Sequence, residues 1–215
     1  MTMGQNYTAQ YWLEKGNSSL ASKNSSHEAI NYFDKAIQIN PDCQEAWIGK
    51  ALALDHISRY NESLECINKS IDLDSRNAAA WGLKGNVLKY QHRYEEGLKC
   101  LNRSIELNPK DYKSWNDKGV IFHNMGLFND SLKCYNMAAE LDPKNHYWYS
   151  RAEVLERLGR NDEALVYINK AILESPENWN LWFEKYGILT KLNRNTEADE
   201  VLHRTKELRQ QYPWQ

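Results

Sequence analysis

The chain has 215 residues, with 27 Lys and Arg against 29 Asp and Glu, for a formal net charge of −2. That balance supplies no overall electrostatic drive toward nucleic acid or an anionic membrane. No apolar run reaches the roughly 18 residues that a membrane span needs, and the opening MTMGQNYTAQYW has no basic stretch followed by an apolar one, so it does not read as a signal peptide. A soluble, cytoplasmic protein is expected.

From Ala9 onward the chain is built from variants of one pattern. Trp12, Trp47, Trp81, Trp115, Trp148 and Trp182 recur at intervals of 35, 34, 34, 33 and 34 residues. A period near 34 with this punctuation predicts an array of helical hairpins. The first unit carries Trp12 and Gly16, then Ala29, Phe33, Ala36 and Pro41, with one extra residue in a Ser/Asn-rich turn where insertion is cheap. The second carries Trp47, Ala51, Ser63, Ile67 and Ser70, with Ser75 where its neighbours have proline. The third carries Trp81, Gly85, Gly97, Leu101, Ser104 and Pro109; the fourth carries Trp115, Gly119, Ser131, Tyr135, Ala138 and Pro143. The fifth, with Trp148, Ala152, Ala164, Ile168, Ala171 and Pro176, lacks one residue between Pro143 and Trp148. The sixth carries Trp182, Leu189, Ala198 and Leu202 before the tail QQYPWQ.

The alternation has a physical sense. Small residues four after each tryptophan let two helices approach, and large residues on the second helix fill the space between hairpins. Each indole is expected to bury about 200 Å². Gly126, Gly159 and Asn193 suit the left-handed end of the first helix, with Ser58 and His92 less comfortable there. Asn61, Asn129, Asp162 and Thr196 are expected to cap the second helices. Cys66, Cys100 and Cys134 lie 34 residues apart and read as packed, reduced thiols, too far from one another for a disulfide or a shared metal.

These residues resemble the tetratricopeptide repeat, whose signature and 34-residue period they share in all six units. The resemblance implies an all-α, right-handed superhelical solenoid of about six antiparallel helix hairpins. Residues 1–8 are expected to be loose, residues 9–211 to form one domain (units about 9–42, 44–76, 78–110, 112–144, 145–177 and 179–211), and residues 212–215 to be a tail. Tyr186 departs from the pattern by replacing the small residue of the last unit, and should shift that hairpin.

Members of this family are mostly binding modules that hold a peptide or protein against the face lined by the first helices. Carried onto this chain, that face would include Leu13 and Asn17, Ile48 and Leu52, Asn86 and Lys89, Lys113 and Asn116, Val120 and Asn124, Tyr149 and Glu153, and Phe183. Exposed apolar side chains in such a set mark a contact surface, and Asn17, Asn86 and Asn116 have the donors and acceptors to bond an extended backbone. The alternative is a solvated helix face bearing scattered apolar residues. The Lys and Asn pairs with which some family members grip a C-terminal carboxylate are missing, so an acidic tail is not the expected ligand.

A cationic ladder three residues after each tryptophan (Lys15, Lys50, Lys84, Lys118, Arg151 and Lys185) could suggest RNA, but its place near the packed seam favours stems that pack and heads that snorkel. Of seven Asn-x-Ser/Thr sequons, Asn61 and Asn129 share one repeat position and Asn68 and Asn102 another, so chance and repetition explain them better than glycosylation. No catalytic, cofactor or metal motif is present. The expectation is therefore a scaffold or adaptor without enzymatic activity or cofactor, binding an unidentified protein or peptide, as a monomer or a weak homodimer through a terminal repeat. A targeting or regulatory subunit of an enzyme complex is the alternative.

Overall fold

Glycine and alanine on one helix facing a large side chain on the next is the contact from which the fold is assembled. The computed structural model describes residues 7–22, 25–142, 144 and 146–212. Residues 1–6, Lys23, Asn24, Pro143, Asn145 and residues 213–215 lie outside the described residues, including most of the segments expected to be a loose N-terminus and a tail. Of the former, Thr8 accepts a hydrogen bond from the Tyr11 amide and caps the first helix, and Tyr7 stacks on Tyr11.

Twelve α-helices and no strand occur among the described residues. By packing, the chain divides into two units, residues 1–117 and 118–215. The first contains α1 (Ala9–Leu20), α2 (Ser26–Ile39), α3 (Gln44–His56), α4 (Tyr60–Leu73), α5 (Ala78–Tyr90) and α6 (Tyr94–Leu107). The division falls within α7 (Tyr112–Asn124). The second unit continues with α8 (Phe128–Leu141), α9 (Trp148–Arg157), α10 (Asn161–Glu174), α11 (Trp179–Lys191) and α12 (Asn195–Gln211).

In unit 1, Phe33 on α2 is fully buried where Gly16 of α1 and Gly49 of α3 leave room for its ring. A Cβ at Gly16 would stand 2.5 Å from the Phe33 Cε1 atom. Gly85 admits Leu101 in the same way, and in unit 2 Gly119 admits Tyr135. Ser63 and Ser131, buried on second helices, donate to the Ala51 and Gly119 carbonyls of the first helices at 2.9 and 2.8 Å. The expected small and large positions are therefore core, with one exception. On α12 the buried residues are Ala198, Val201, Thr205 and Leu208, while Leu202 is only half-buried. Val201 is buried as Cys66, Cys100 and Cys134 are at the same repeat position, whereas Leu202 belongs to the last hairpin of the described residues, with no further one to cover it.

The tryptophans do more than fill volume. They are half-buried, and the indole N–H groups of Trp47, Trp81, Trp115 and Trp182 donate to the carbonyl six residues earlier, of Pro41, Ser75, Pro109 and Pro176. The acceptor is a backbone group, which is why Ser75 serves as well as proline. Where the chain is one residue shorter, Tyr147 enters α9 in a left-handed conformation (φ +50°) and Trp148 donates instead to the Glu174 carboxylate.

Each hairpin bend from α3 onward uses one left-handed residue: Ser58, His92, Gly126, Gly159 and Asn193. Its amide and the next one bond back to the preceding turn, as in Arg59 N to the Leu54 carbonyl at 2.9 Å. The second helices start earlier than their polar residues suggest. Arg59, Arg93, Arg160 and Arg194 hold the cap positions, without a side-chain cap bond, in place of the expected Asn61, Asp162 and Thr196; Leu127 holds it in place of Asn129. Each arginine instead forks onto the glutamate three residues on, as Arg160 does onto Glu163 at 2.7 Å. That glutamate lies in the first turn, where the helix dipole favours negative charge.

Candidate functional site

In unit 1, α3, α5 and the first turns of α7 bound an open cleft of ≈ 480 Å³. Ile48 and Leu52, one helical turn apart on α3, and Leu83 on α5 form apolar wall; Asn86 and Lys113 bring polar groups to it. Four of the residues singled out from sequence thus share one concavity. Asn116 is half-buried on α7, and Asn17 is exposed on α1.

Two candidates belong elsewhere. Leu13 is 8% exposed and sits in the core with Ala29, Phe33 and Ala46, because α1 turns this position toward its neighbours. Lys89 is 9% exposed, and its ammonium lies 2.5 Å from the Asp117 carboxylate. Asn86 donates to the other Asp117 oxygen at 2.9 Å. Lys89 therefore braces α5 against α7 from within. Asp117 is not among the sequence candidates; it stands two residues after a tryptophan, a position that holds an acid in three units (Glu14, Asp117 and Glu184) and Gly49, Leu83 or Ser150 in the others. Asp55, near the end of α3, is a further acid of this region. It lines the cleft, one of its carboxylate oxygens is buried without a hydrogen-bond partner, and burial pushes its carboxyl up against the opposing pull of His56 and Lys89.

In unit 2, the first-helix residues Tyr149 and Phe183 are 40% and 52% exposed. Glu153, one turn beyond Tyr149, lies 3.5 Å from the His123 Nε2 atom. Val120 is half-buried and Asn124 exposed on the part of α7 in this unit. Burial, then Glu153, Glu184 and Glu156, push the Tyr149 phenol up to about 12.

Members of the cationic ladder make contacts within the fold. Lys50 pairs with Asp34 at 2.6 Å, Lys84 and Lys185 lie over Trp81 and Trp182, and Arg151 stacks on both Trp148 and Tyr167. Stems pack and heads lie over aromatic faces or beside a carboxylate. The thiols of Cys66 and Cys134 are buried and pushed up to about 11 by that burial, so they are poor nucleophiles. No cluster of three or more His, Cys, Asp or Glu among the described residues is arranged to hold a metal ion. No helix among them is long and apolar enough to cross a membrane.

Comparison with known proteins agrees with this geometry. Two family models, each described as tetratricopeptide repeat, match residues 78–111 and 112–145, and residues 9–43, 44–77 and 146–178. The hairpin α11–α12 lies beyond the matched segments and repeats the same architecture. An uncharacterized protein of Methanocaldococcus jannaschii is 43% identical over 58 residues, 27% of this chain and 66% of that one, just under two thirds of its length. Among solved structures, YrrB, a TPR protein with an unusual peptide-binding site, superposes with TM-score 0.70 at 20% identity over 82% of this chain and 91% of its own. PilF of Pseudomonas aeruginosa superposes with TM-score 0.82 at 18% identity over 96% and 93%. Proteins of this fold generally serve as non-enzymatic scaffolds for other proteins. With five matched repeats spanning most of its length and the same helical hairpin throughout, the chain belongs to the tetratricopeptide repeat family.

Proposed function

We propose that the chain is a scaffold that holds a protein segment against the faces formed by its first helices, with no chemistry of its own. The observation that supports this most is the unit 1 cleft: a concavity of ≈ 480 Å³ with Ile48 and Leu52 as apolar anchors and polar groups at its side. Small-volume apolar pockets with a few convergent polar groups are where a partner's anchor side chains gain most of their binding energy. In this reading Asn86 offers its free amide oxygen and Lys113 its ammonium to the bound backbone. In unit 2, Tyr149 and Phe183 are the anchors, with Val120, Asn124 and Glu153 around them. Asn116 and Asn17 are further first-helix contacts. YrrB, a neighbour by fold, carries a peptide-binding site of its own.

The test is site-specific photocrosslinking. A photoreactive phenylalanine analogue at Leu52 or Tyr149 is expected to trap one and the same partner from native extract, identified by mass. The same analogue at Lys133, exposed on the second helix α8, is expected to trap none. Joint substitution of Asn116, Val120 and Tyr149 by alanine should weaken capture while circular dichroism still reports full helicity. Equal crosslinking from Lys133, or capture undiminished in the triple variant, removes the proposal.

A further inference from the structure

Position in the repeat gives the two units different electrostatics. Eight residues after one tryptophan and two after the next face each other across neighbouring first helices. In unit 1 these positions hold Lys89 and Asp117, which form an ion pair. In unit 2 the equivalent positions hold Glu156 and Glu184, two like charges. Lys191 of α11 reaches back to Glu156 at 2.6 Å. Glu184 has no hydrogen bond or ion pair among the described residues. It is half-buried, and its carboxyl is pushed up by burial, then by Glu156 and Glu153, more than Lys191 and Arg157 pull it down. His123 is beside Glu153, and Arg157 lies near both Tyr149 and Glu184. Tyr149 stands beside these carboxylates with its ring exposed, and Phe183, the residue before Glu184 on α11, is exposed as well.

A face built of two exposed aromatic rings and a surplus carboxylate is incomplete in charge and in apolar cover at once. Its natural complement is a planar cation that stacks on a ring and forks onto a carboxylate, which describes a guanidinium better than an ammonium. A metal ion does not match, since no metal-holding group is arranged among the described residues. We infer that the α9–α11 face of unit 2 docks an arginine-bearing segment of a partner protein, with the guanidinium between Tyr149 or Phe183 and the Glu184 carboxylate. This rests on the first-helix docking reading above and assigns the partner's chemistry.

The full chain is titrated, by fluorescence anisotropy, into labelled decapeptide pools in which two positions three apart are fixed as arginine, citrulline, norleucine or glutamate and the rest are mixed. Citrulline keeps the shape and loses the charge. The arginine pool is expected to bind about tenfold more tightly than the citrulline pool at low salt, the gap closing as salt screens it. Glu184→Gln is expected to remove most of that preference and at the same time to raise the thermal midpoint, because it relieves the repulsion from Glu156. A merely structural role for Glu184 would not move the two readouts in opposite senses.

Equal binding of arginine and citrulline pools, or an arginine preference unchanged in Glu184→Gln, overturns the inference. If those pools bind equally and Tyr149→Ala with Phe183→Ala abolishes both, the docking face stands and only its cation specificity falls. If no pool binds and crosslinking from Tyr149 is also absent, the docking reading falls with it.

Discussion

Single residues decide how close the helices come. Gly16 carries no Cβ because Phe33 fills that place, and the ring is enclosed on all sides. Gly16→Ala should therefore destabilise the chain by about 1–3 kcal/mol, the usual cost of forcing an extra methyl into a packed core; urea titration followed by circular dichroism measures it. Gly187→Ala is the control, because nothing lies within 4 Å of that added Cβ, and helix propensity there favours alanine by up to about 1 kcal/mol. The cysteines give a second readout. Cys66 and Cys134, pushed up to about 11, hold on the order of one thousandth of their thiol as thiolate at pH 8, whereas Cys43 is only partly buried. An aromatic disulfide reagent is expected to label Cys43 quickly in the folded protein and the buried Cys66, Cys100 and Cys134 only on unfolding. Gly16 and the cysteine spacing were legible in the sequence because their meaning repeats every 34 residues. The arginine caps were not, because Asn61, Asp162 and Thr196 have the better intrinsic cap propensity while the bend geometry places the helix start at the preceding arginine.

At the scale of elements, the contact between α5 and the start of α7 depends on one polar cluster. Lys89, Asp117 and Asn86 satisfy one another with little access to water. Asp117→Ala leaves a buried ammonium unpaired and should cost about 3 kcal/mol or more. Replacing the pair together, as Lys89→Met with Asp117→Leu, should restore most of that loss, since a buried pair adds little over a well-packed apolar one. Thermal melts of the wild type, single and double variants close the cycle. If the double variant is as unstable as the single, the pair is contributing more than compensation of its own burial. The last hairpin makes the complementary point: Val201 is buried at the position of Cys66, Cys100 and Cys134, but Leu202, in register with the fully buried Ile67 and Leu101, is only half-buried.

Across the whole molecule the ionisable groups fall into two opposed sets. Glu62, Glu96, Glu163 and Glu197 are drawn below the usual carboxylate range by hydrogen bonds from their arginines. Their contribution is complete above the unfolded carboxylate pKa and is lost as pH falls through the lower folded value. Asp55 and Glu184 are raised, chiefly by burial. For these the ionised form opposes folding at neutral pH, and that opposition fades as pH drops toward their raised values. The thermal midpoint should therefore hold or rise slightly as pH falls from neutral toward the raised values of Asp55 and Glu184, then fall at lower pH as the paired glutamates protonate. Asp55→Asn with Glu184→Gln should flatten the upper part of that profile and leave the acid limb in place. A scan of melting against pH in both proteins decides it, and an unchanged upper limb in the variant would show that neither carboxylate opposes folding.

What followed from the sequence by itself was everything that repeats: the helix hairpin, its period, the small and large core positions, the left-handed bends and the family. These are legible because each unit states the same local rule and its neighbours restate it. What only the tertiary structure decided are the encounters between residues far apart in the chain on adjacent helices. Lys89 meets Asp117 and is withdrawn from the surface, Leu13 turns into the core, and Glu184 faces other carboxylates that outweigh Lys191 and Arg157. Those outcomes depend on how each helix is rotated about its axis against the next, a quantity that a 34-residue spacing leaves open and that side-chain packing sets.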